Sequence, residues 1–301
     1  MSDTQGTMTA NKTYSVRHLT RIEYEKPVVH AEFNLRLTPY GWPGQWLDNH
    51  QLLITPEPDF HRDHAGPYCV NASHIGFAAP LLALEVLSTF TARLDDTPEP
   101  ADGPLLSDLR QEALGVRDLS PHAPAPYLFA SRIAGMSTDI AEWAAPYLAA
   151  GQNVVPAAKA LMAAVHSGFA YRTGATDART PPEQAFVARE GVCQDFAHIM
   201  IMALRSQGIA AAYASGYLRT LPPPGQPRLV GADAMHAWVN VWCGKALGWI
   251  GFDPTNNCLA RQDHIQIGMG RDYADVAPID GIFIGMDVQE METEVDVEEL
   301  G

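Results

Sequence analysis

Apolar and polar residues alternate with a period of two over most of the first hundred positions. Residues 14–24 place apolar or aromatic side chains at most alternate positions, and Pro27 ends the run. A second alternating stretch at 33–37 stops at a Thr-Pro pair, and further short runs lie at 51–55 and 81–94. Short strands separated by Pro, Gly, Asn and Asp are typical of an antiparallel β-sandwich.

Helical periodicity follows a Pro- and Asp-rich stretch at 95–106, which has the composition of a linker or exposed loop. Residues 140–148 and 155–167 are rich in Ala and Leu and predict helices. A further helix is predicted from Gly191 to Gln207, with Gly208 as its C-terminal cap. Its apolar positions form one stripe, which contains Phe196, Ile199, Met200 and Ala203.

The pattern returns to a period of two after this helix. Strands are predicted at 209–218, 236–243 and 249–253. The last segment, 287–299, carries seven acidic residues and no basic residue, so an acidic disordered tail is one interpretation. However, its acids alternate with Met, Thr and Val side chains, which favours a final strand with one solvated face.

Together these patterns predict an α+β chain. Residues 1–100 form an N-terminal antiparallel β-sandwich domain, and residues 101–155 form a helical connecting segment. Residues 156–301 form a core in which a helix packs on an antiparallel sheet, and this core ends in the C-terminal strand. A length of 301 residues suits about two domains.

Composition and charge narrow the function classes. Apolar residues make up 47% and charged residues 18%, as in a globular protein. The net charge of −15 disfavours a sequence-independent grip on nucleic acid and binding to an anionic membrane surface. No apolar run reaches the roughly 18 residues of a spanning helix, and residues 1–12 lack the apolar region of a signal peptide. We therefore expect a cytoplasmic protein without a nucleic-acid or membrane partner.

Cys193 has the position of a nucleophile. It falls in the first turn of the predicted helix, where the partial positive charge of the helix N-terminus favours the thiolate over the thiol. Unpaired backbone N–H groups of that turn can bind a developing oxyanion. The alternative is a small buried residue. The four cysteines form no C-x-x-C pair and are expected to be free thiols: Cys69, Cys193, Cys243 and Cys258.

A histidine and a carboxylate are predicted to face each other on a hairpin. His236 begins one predicted strand, residues 244–248 form the turn, and Asp253 ends the returning strand. The midpoint of the two positions, 244.5, lies inside or next to this turn, so in an antiparallel hairpin their side chains should be near neighbours on adjacent strands about 4.8 Å apart. Asp253 would then accept a hydrogen bond from one imidazole nitrogen and leave the other facing Cys193, as an acyl-transferring thiol enzyme requires.

Several strings of residues resemble the transglutaminase-like superfamily. They are Gly191-Val-Cys193-Gln-Asp-Phe-Ala-His198, Ser215-Gly-Tyr217, His236-Ala-Trp238 and Gly248-Trp-Ile-Gly-Phe-Asp253-Pro-Thr-Asn256. Two further strings resemble the β domain that precedes the core in many bacterial members: Tyr14-Ser-Val-Arg17-His-Leu-Thr20 and Leu35-Arg-Leu-Thr-Pro39. The resemblance implies a papain-like core, and it assigns the Cys-His-Asp triad of the family to Cys193, His236 and Asp253.

The proposed chemistry also needs an oxyanion hole and a wall for the cleft. The backbone N–H of Cys193 is one expected donor. Tyr171 is a candidate side-chain donor, with packing at a helix end as its alternative, and Gln194 is a second candidate. Trp238 is expected to wall the substrate cleft, and Trp242 is expected to fill the core.

Other polar residues are expected to have structural roles. Asp195 lies in the first helical turn and suits a local hydrogen bond, and His198 suits a packed, hydrogen-bonded histidine. The string His61-Arg-Asp63-His64 has the residue types of a metal site, but a polar surface loop is favoured. No metal or other cofactor is expected. The Pro-rich loop at 221–225 is a predicted lid.

The sequence therefore predicts a thiol-dependent hydrolase of amide, peptide or isopeptide bonds in a peptide or protein substrate. A transglutaminase-type acyltransferase to an amine uses the same acyl-enzyme, so both activities stay open. A non-catalytic scaffold of the same fold is a third interpretation, although such relatives usually lose a triad member. The β domain is expected either to shape substrate access or to mediate self-association into a homo-oligomer.

Overall fold

Strands outnumber helices in this chain. The structure is a computed structural model that describes residues 11–219, 234–285 and 289–300, so the predicted lid at 221–225 lies outside the described residues. The strands are β1 Lys12–Val28, β2 His30–Leu35, β3 Gln45–Thr55, β4 Phe60–Ala65, β5 Asn71–Phe77, β6 Leu81–Leu94, β7 Ala170–Tyr171, β8 Glu190–Gly191, β9 Ala211–Leu218, β10 Met235–Trp242, β11 Trp249–Asp253, β12 Cys258–Leu259, β13 His264–Gly270, β14 Ile279–Ile284 and β15 Gln289–Leu300. The α-helices are α1 Leu106–Leu114, α2 Thr138–Ala144, α3 Val154–Gly168, α4 Pro182–Ala188, α5 Cys193–Ser206 and α6 Tyr273–Val276.

Two four-stranded antiparallel sheets form the N-terminal β-sandwich. Their strand orders are β15-β1-β6-β3 and β14-β2-β5-β4. Along β1 the predicted alternation holds, since Ile22 and Tyr24 are buried while Glu23 and Glu25 are exposed. Apolar side chains from both sheets fill the space between them, and these include Val28, Phe33, Leu35, Ile75, Phe77, Leu84 and Val86. The predicted sandwich is therefore confirmed.

The two last strands belong to this sandwich. β15 pairs antiparallel with β1, and β14 pairs antiparallel with β2. The predicted final strand exists, but the sequence-based division had assigned it to the core of residues 156–301. Val295 and Val297 are buried in an apolar cluster that includes Val16 of β1 and also Tyr217. The acids that flank Val295, Glu294 and Asp296, are partly exposed, and Arg21 pairs with Glu294 across the strands at 2.6 Å.

A second body of structure consists of a sheet covered by helices. Its five antiparallel strands have the order β12-β11-β10-β9-β13, and α5 packs against β9 and β10. The predicted apolar stripe of α5 is buried, and Gly208 follows the helix with a φ of +75°, as expected for a C-terminal cap. Leu109 of α1 and Ile140 of α2 are buried in the same core, so the predicted connecting segment 101–155 contributes to it.

The sandwich and the core meet at an apolar joint. Val16, Phe90 and Val297 of the sandwich pack with Tyr217 and Ile265 of the core sheet. The side-chain amide of Gln45 adds two hydrogen bonds to the backbone of Gln266, with its Nε2 donating to the carbonyl at 2.7 Å and its Oε1 accepting the N–H at 2.9 Å. The joint fixes the start of β13 against the sandwich.

The cysteines and helices bear on two further expectations. Cys69 and Cys243 are buried, Cys193 and Cys258 are partly exposed, and all four are free thiols. Among the helices of the described residues, none has the length and apolar character needed to cross a membrane.

Candidate active site

The start of α5 is fixed by a carboxylate. Val192 precedes the helix in an extended conformation, and Cys193 is the first helical residue. Asp195 Oδ2 accepts the backbone N–H of Val192 at 2.8 Å and the hydroxyl of Thr176 at 2.6 Å. A Cβ on Gly191 would lie 2.6 Å from that oxygen, so glycine makes room for the cap. This local hydrogen bonding was expected for Asp195, and it holds the Cys193 sulfur at the helix N-terminus.

His236 and Asp253 meet between β10 and β11. His236 Nε2 donates to Asp253 Oδ2 at 2.8 Å, and the two side chains are 9% and 0% exposed. The strands pair with Val239 opposite Phe252, so the two residues meet diagonally. The two residues are neighbours on adjacent strands, with a register displaced by two residues from the one in which they would be directly opposed.

The Asp253 carboxylate is held by several donors. Its Oδ1 accepts the backbone N–H groups of Thr255 at 2.9 Å and Asn256 at 3.1 Å. Its Oδ2 accepts Nδ2 of Asn256 at 2.7 Å and Nε2 of His264 at 3.0 Å, in addition to His236. Burial raises the pKa of Asp253, but the hydrogen bonds from His236 and His264 outweigh it and hold the pKa well below its usual range. Asp253 is therefore a buried, permanently ionised acceptor at neutral pH.

The His236 side chain joins this carboxylate to Cys193. Burial lowers the pKa of His236, but the hydrogen bonds and charges of Asp253 and Cys193 raise it to about 9. Because Nε2 is engaged by Asp253, Nδ1 is the ring nitrogen available to the Cys193 sulfur. The structure thus brings together the three predicted triad residues, with an imidazolium at neutral pH beside a partly exposed sulfur.

Both predicted oxyanion candidates lie near Cys193. β7 pairs in parallel with β8, which sets Tyr171 opposite Gly191, two residues before the sulfur. Burial, and then the charge of Cys193, raises the pKa of Tyr171, so its phenol lies within electrostatic reach of the thiol. The Tyr171 side chain is largely exposed, with one edge contact to the ring of Phe196 at 6.2 Å. Gln194 lies in the same helical turn as Cys193 and is partly exposed.

Trp238 lies behind the histidine. Its ring stacks on His236 with a centroid distance of 6.2 Å and meets His264 edge-on at 5.3 Å. Because Trp238 is only 2% exposed, it supports these rings from inside the protein. Its expected role as a wall of the substrate cleft stays a prediction. Trp242 lies in the core, as expected.

His198 has the structural role that was expected. It is fully buried, and its Nε2 accepts the backbone N–H of Tyr273 at 3.2 Å. Burial lowers the pKa of His198 to about 4, so the ring is neutral at physiological pH and suits an acceptor. Its contacts lie with α6 and with the ring of Tyr213.

His264 was missed by the sequence analysis. It begins β13, eleven residues after Asp253, and no local spacing connects the two positions. The only signal in the sequence is a histidine at the start of an apolar strand, which is also the pattern of an ordinary core histidine. The fold brings its ring to Asp253 because the 260–263 segment returns the chain to the site.

His236, Asp253 and His264 could offer three metal-ligating atoms within 4.8 Å of one another. The hydrogen bonds do not fit a metal. His264 Nδ1 accepts the backbone N–H of Arg261 at 3.4 Å, so the ring proton is on Nε2, and Nε2 has no lone pair to offer a metal. A metal-bound histidine instead donates the proton of its other ring nitrogen to a neighbouring acceptor. Asn256 also donates to the shared carboxylate oxygen. The donor set fits a hydrogen-bonded cluster.

The other histidine-rich string is also not assembled as a metal site. His61 and His64 lie on β4, an exposed strand and not the loop that was expected. His61 Nε2 bonds Asp63 at 3.0 Å, and Ser73 donates to the same carboxylate oxygen at 2.6 Å.

A cavity of about 620 Å³ lies between the sandwich and the core. Trp42, His122 and Trp249 form aromatic walls, and Asn240 and Gln266 also line it. Trp238 and His264 form its boundary with the triad, while Cys193 is not among the described residues that line it. His236 and Asp253 are likewise not among the described residues that line it.

Comparison with known proteins covers both parts of the chain. Residues 141–254 match the family model of the transglutaminase-like superfamily, and residues 14–93 match that of the bacterial transglutaminase-like N-terminal region. An uncharacterized protein of Mycobacterium tuberculosis is 35% identical over 276 residues, which cover 89% of this chain and 87% of the relative. An uncharacterized protein of Mycobacterium leprae is 31% identical over 294 residues, covering 95% and 98%.

A solved structure shares the fold. It comes from Cytophaga hutchinsonii, is named as a candidate cysteine protease, and superposes with a TM-score of 0.71 over 96% of this chain and 92% of that chain, at 21% identity. The likeness extends over the sandwich and the core together. The family matches and the mycobacterial relatives show that this chain belongs to the transglutaminase-like superfamily, with the bacterial transglutaminase-like N-terminal region before its core.

Proposed function

We propose that this protein is a thiol-dependent hydrolase of amide bonds, peptide or isopeptide, in peptide or protein substrates. The observation that supports it best is the continuous line from Cys193 at the start of α5, through His236, to buried Asp253. A thiolate beside an imidazolium that a carboxylate aligns has the requirements of acyl transfer. Superfamily membership and the candidate cysteine protease of the same fold suggest an enzyme.

In the first half of the reaction, the Cys193 thiolate attacks the amide carbonyl carbon and a C–S bond forms. The first-turn N–H groups of α5 and the Tyr171 hydroxyl donate hydrogen bonds to the oxyanion that develops on the carbonyl oxygen. His236 gives its Nδ1 proton to the departing nitrogen as the C–N bond breaks, which leaves a thioester and a neutral amine. Asp253 keeps the imidazole in the orientation that this transfer needs.

In the second half, neutral His236 takes a proton from water as the water oxygen attacks the thioester. The C–S bond breaks, a carboxylic acid leaves, and the thiolate and imidazolium are restored. An amine in place of water gives a new amide by the same steps. The transglutaminase-like core and the net charge of −15, which attracts cationic amines, favour this transfer as the second candidate activity. The complete set of three triad residues speaks against a silent scaffold.

The test is the intact mass of the protein after incubation with p-nitrophenyl acetate and then with candidate peptide amides. We expect one acyl group on the wild-type chain, located on Cys193 by peptide mapping, and no adduct on Cys193→Ser. Cys258→Ser removes the other partly exposed thiol and should acylate as the wild type does. Equal labelling of Cys258 and Cys193, or no adduct at all, would contradict the proposal.

Hydrolysis and transfer are separated by a product assay. A peptide amide is incubated with and without putrescine, and the products are identified by mass. Free carboxylic acid as the main product in both samples supports the hydrolase, whereas a putrescine conjugate supports the acyltransferase.

A further inference from the structure

A second histidine contacts the carboxylate oxygen that His236 uses. His264 Nε2 lies 3.0 Å from Asp253 Oδ2, and His236 Nε2 lies 2.8 Å from it. The His264 side chain is 6% exposed, so water does not compete freely for this contact. The two imidazole centroids are 6.1 Å apart, with Asp253 between their Nε2 atoms.

The backbone N–H of Arg261 determines which ring nitrogen of His264 carries the proton. Nδ1 accepts the backbone N–H of Arg261, which leaves the ring proton on Nε2. His264 is thus a donor to Asp253 and cannot act as an acceptor there. The edge-on contact with Trp238, whose ring also stacks on His236, fixes the plane of the His264 ring.

The sharing of Asp253 Oδ2 by His236 and His264 affects both the orientation of the carboxylate and the charge that acts on His236. Oδ1 is held by two backbone N–H groups, while Oδ2 is held by side chains only, so the orientation of Oδ2 depends on Asn256 and His264. Each donor also takes part of the negative charge that would otherwise act on His236 alone. The titratable groups around His236 are Asp253 on β11, His264 on β13 and Cys193 on α5, with Tyr171 and Tyr213 beside the sulfur.

We propose that His264 is a positioning residue for acylation of Cys193, whose Nε2–H fixes Asp253 Oδ2 in the orientation that aligns His236. This inference rests on the proposed role of Cys193 as the nucleophile. His264 lies outside the sequence strings that resemble the superfamily, and it would be a fourth side chain of the site beside Cys193, His236 and Asp253.

The test compares His264→Gln, which keeps a donor near the Nε2 position, with His264→Phe, which keeps the ring and its contact with Trp238 but has no donor. We measure the rate of acylation of Cys193 by p-nitrophenyl acetate and the pH profile of its alkylation by iodoacetamide. His264→Phe should acylate about tenfold more slowly, as for loss of one hydrogen bond to a charged group. The high-pH limb of its alkylation profile should move to higher pH. Without the His264 donor, more of the negative charge of Asp253 acts on His236, so the imidazolium loses its proton at a higher pH. His264→Gln should remain within about twofold of the wild-type rate.

Two outcomes overturn the proposal while leaving the proposed function intact. One is a His264→Phe protein with the wild-type rate and pH profile. The other is equal impairment of both variants together with equal loss of thermal stability, which indicates packing alone. Failure of the wild-type protein to acylate at Cys193 is a failure of the proposed function, and it is seen before any His264 variant is made.

A measurement on the wild-type protein keeps the proposal testable if His264→Phe does not fold. Long-range ¹H–¹⁵N spectra of histidine-labelled protein distinguish the two neutral tautomers. We expect His264, assigned through His264→Gln, to carry its proton on Nε2. A proton on Nδ1 would overturn the proposal, since Nε2 could then not donate to Asp253.

Discussion

Asp253 Oδ2 accepts the Nε2–H of His236 at 2.8 Å, between adjacent strands and with both side chains withdrawn from water. The bond engages one imidazole nitrogen and leaves the other for Cys193. Removing the charge while keeping the shape of Asp253 should therefore separate alignment from packing.

Asp253→Asn should lower the rate of Cys193 acylation by on the order of 10³-fold, because the amide can hold His236 in the wrong tautomer and cannot stabilise the imidazolium. Acyl-enzyme formation followed by mass gives the rate. Asp263→Asn is the matched control, since Asp263 is partly exposed and bonds Lys12 and Tyr14. A rate for Asp253→Asn within tenfold of the wild type would contradict the role of Asp253.

The stability of the protein should depend on pH through His236. Its pKa is raised from 6.5 to about 9, so the native state holds this proton more tightly than the unfolded state. The resulting stabilisation is complete below pH 6.5 and is lost as the pH rises through 9; its size is at most about 3 kcal/mol, since one pKa unit is worth about 1.4 kcal/mol. Urea unfolding at pH 6 and pH 10 should show this loss in the wild type and a smaller one in His236→Gln. Equal losses in both proteins would show that His236 is not the source.

The pH dependence of stability that Asp253 contributes has the opposite sign to that of His236. Because its pKa is depressed, the stabilisation it provides is present above its ordinary pKa and is lost as the pH falls toward the depressed value. Acid unfolding of Asp253→Asn should therefore be less steep with pH than that of the wild type. Urea unfolding at several acidic pH values, followed by circular dichroism, gives this slope for both proteins, and equal slopes would contradict the prediction.

Asp195→Ala should destabilise the fold by about 1–2 kcal/mol. The substitution removes the cap of α5 and leaves the Val192 N–H and the Thr176 hydroxyl without this acceptor. Asp139→Ala in the first turn of α2 is the control, because Asp139 is exposed and Ser137 supplies the cap of that helix. Thermal unfolding of the two variants should differ clearly. A change in Asp195→Ala no larger than that in Asp139→Ala would mean that the cap is dispensable.

Tyr171→Phe distinguishes an oxyanion donor from a packing aromatic. If the hydroxyl receives the oxyanion, acylation should slow by about 10²-fold, with little change in stability because the ring is largely exposed. Tyr147→Phe, on the 3₁₀ turn after α2, is the matched control. An unchanged acylation rate in Tyr171→Phe would assign the second donor elsewhere, with Gln194→Ala as the next variant to measure.

Val295→Ala tests whether the acidic C-terminal strand is an integral part of the sandwich. Val295 is fully buried, so the loss of two methyl groups should cost about 1–3 kcal/mol in the free energy of unfolding. Glu298→Ala, at an exposed position of the same strand, should change it by less than about 0.5 kcal/mol. Equal small effects of the two substitutions would mean that β15 is not docked as described.

Elements with a strong internal period were predictable from the sequence. The stripe of α5 and the alternation of β1 depend only on neighbouring residues, and both appear with small changes at their ends. Alternation shows which face of a strand is buried but not which sheet receives it, and for this reason the predicted final strand, β15, was assigned to the core. No strand was predicted at 279–284, where β14 joins the sandwich.

The site was predictable where the residues are joined by one helix or one hairpin. Cys193 follows from a helix start, and His236 and Asp253 follow from a hairpin, although its register was displaced by two residues. His264 reaches Asp253 from a strand at the other edge of the sheet. No pattern along the chain contains that contact, because it depends on the path of the loop that precedes β13.

The return of β14 and β15 to the sandwich makes the transglutaminase-like core an insertion. The polypeptide leaves the sandwich after β6 and re-enters it at β14, so the intervening portion is tethered at both ends. One proteolytic nick within it leaves each fragment still anchored to the β-sheets, and release of the core as a separate fragment requires two cuts. A shortened version that stops before residue 279 would lack two of the eight sandwich strands, so dissection of the protein must excise the middle and rejoin the flanks.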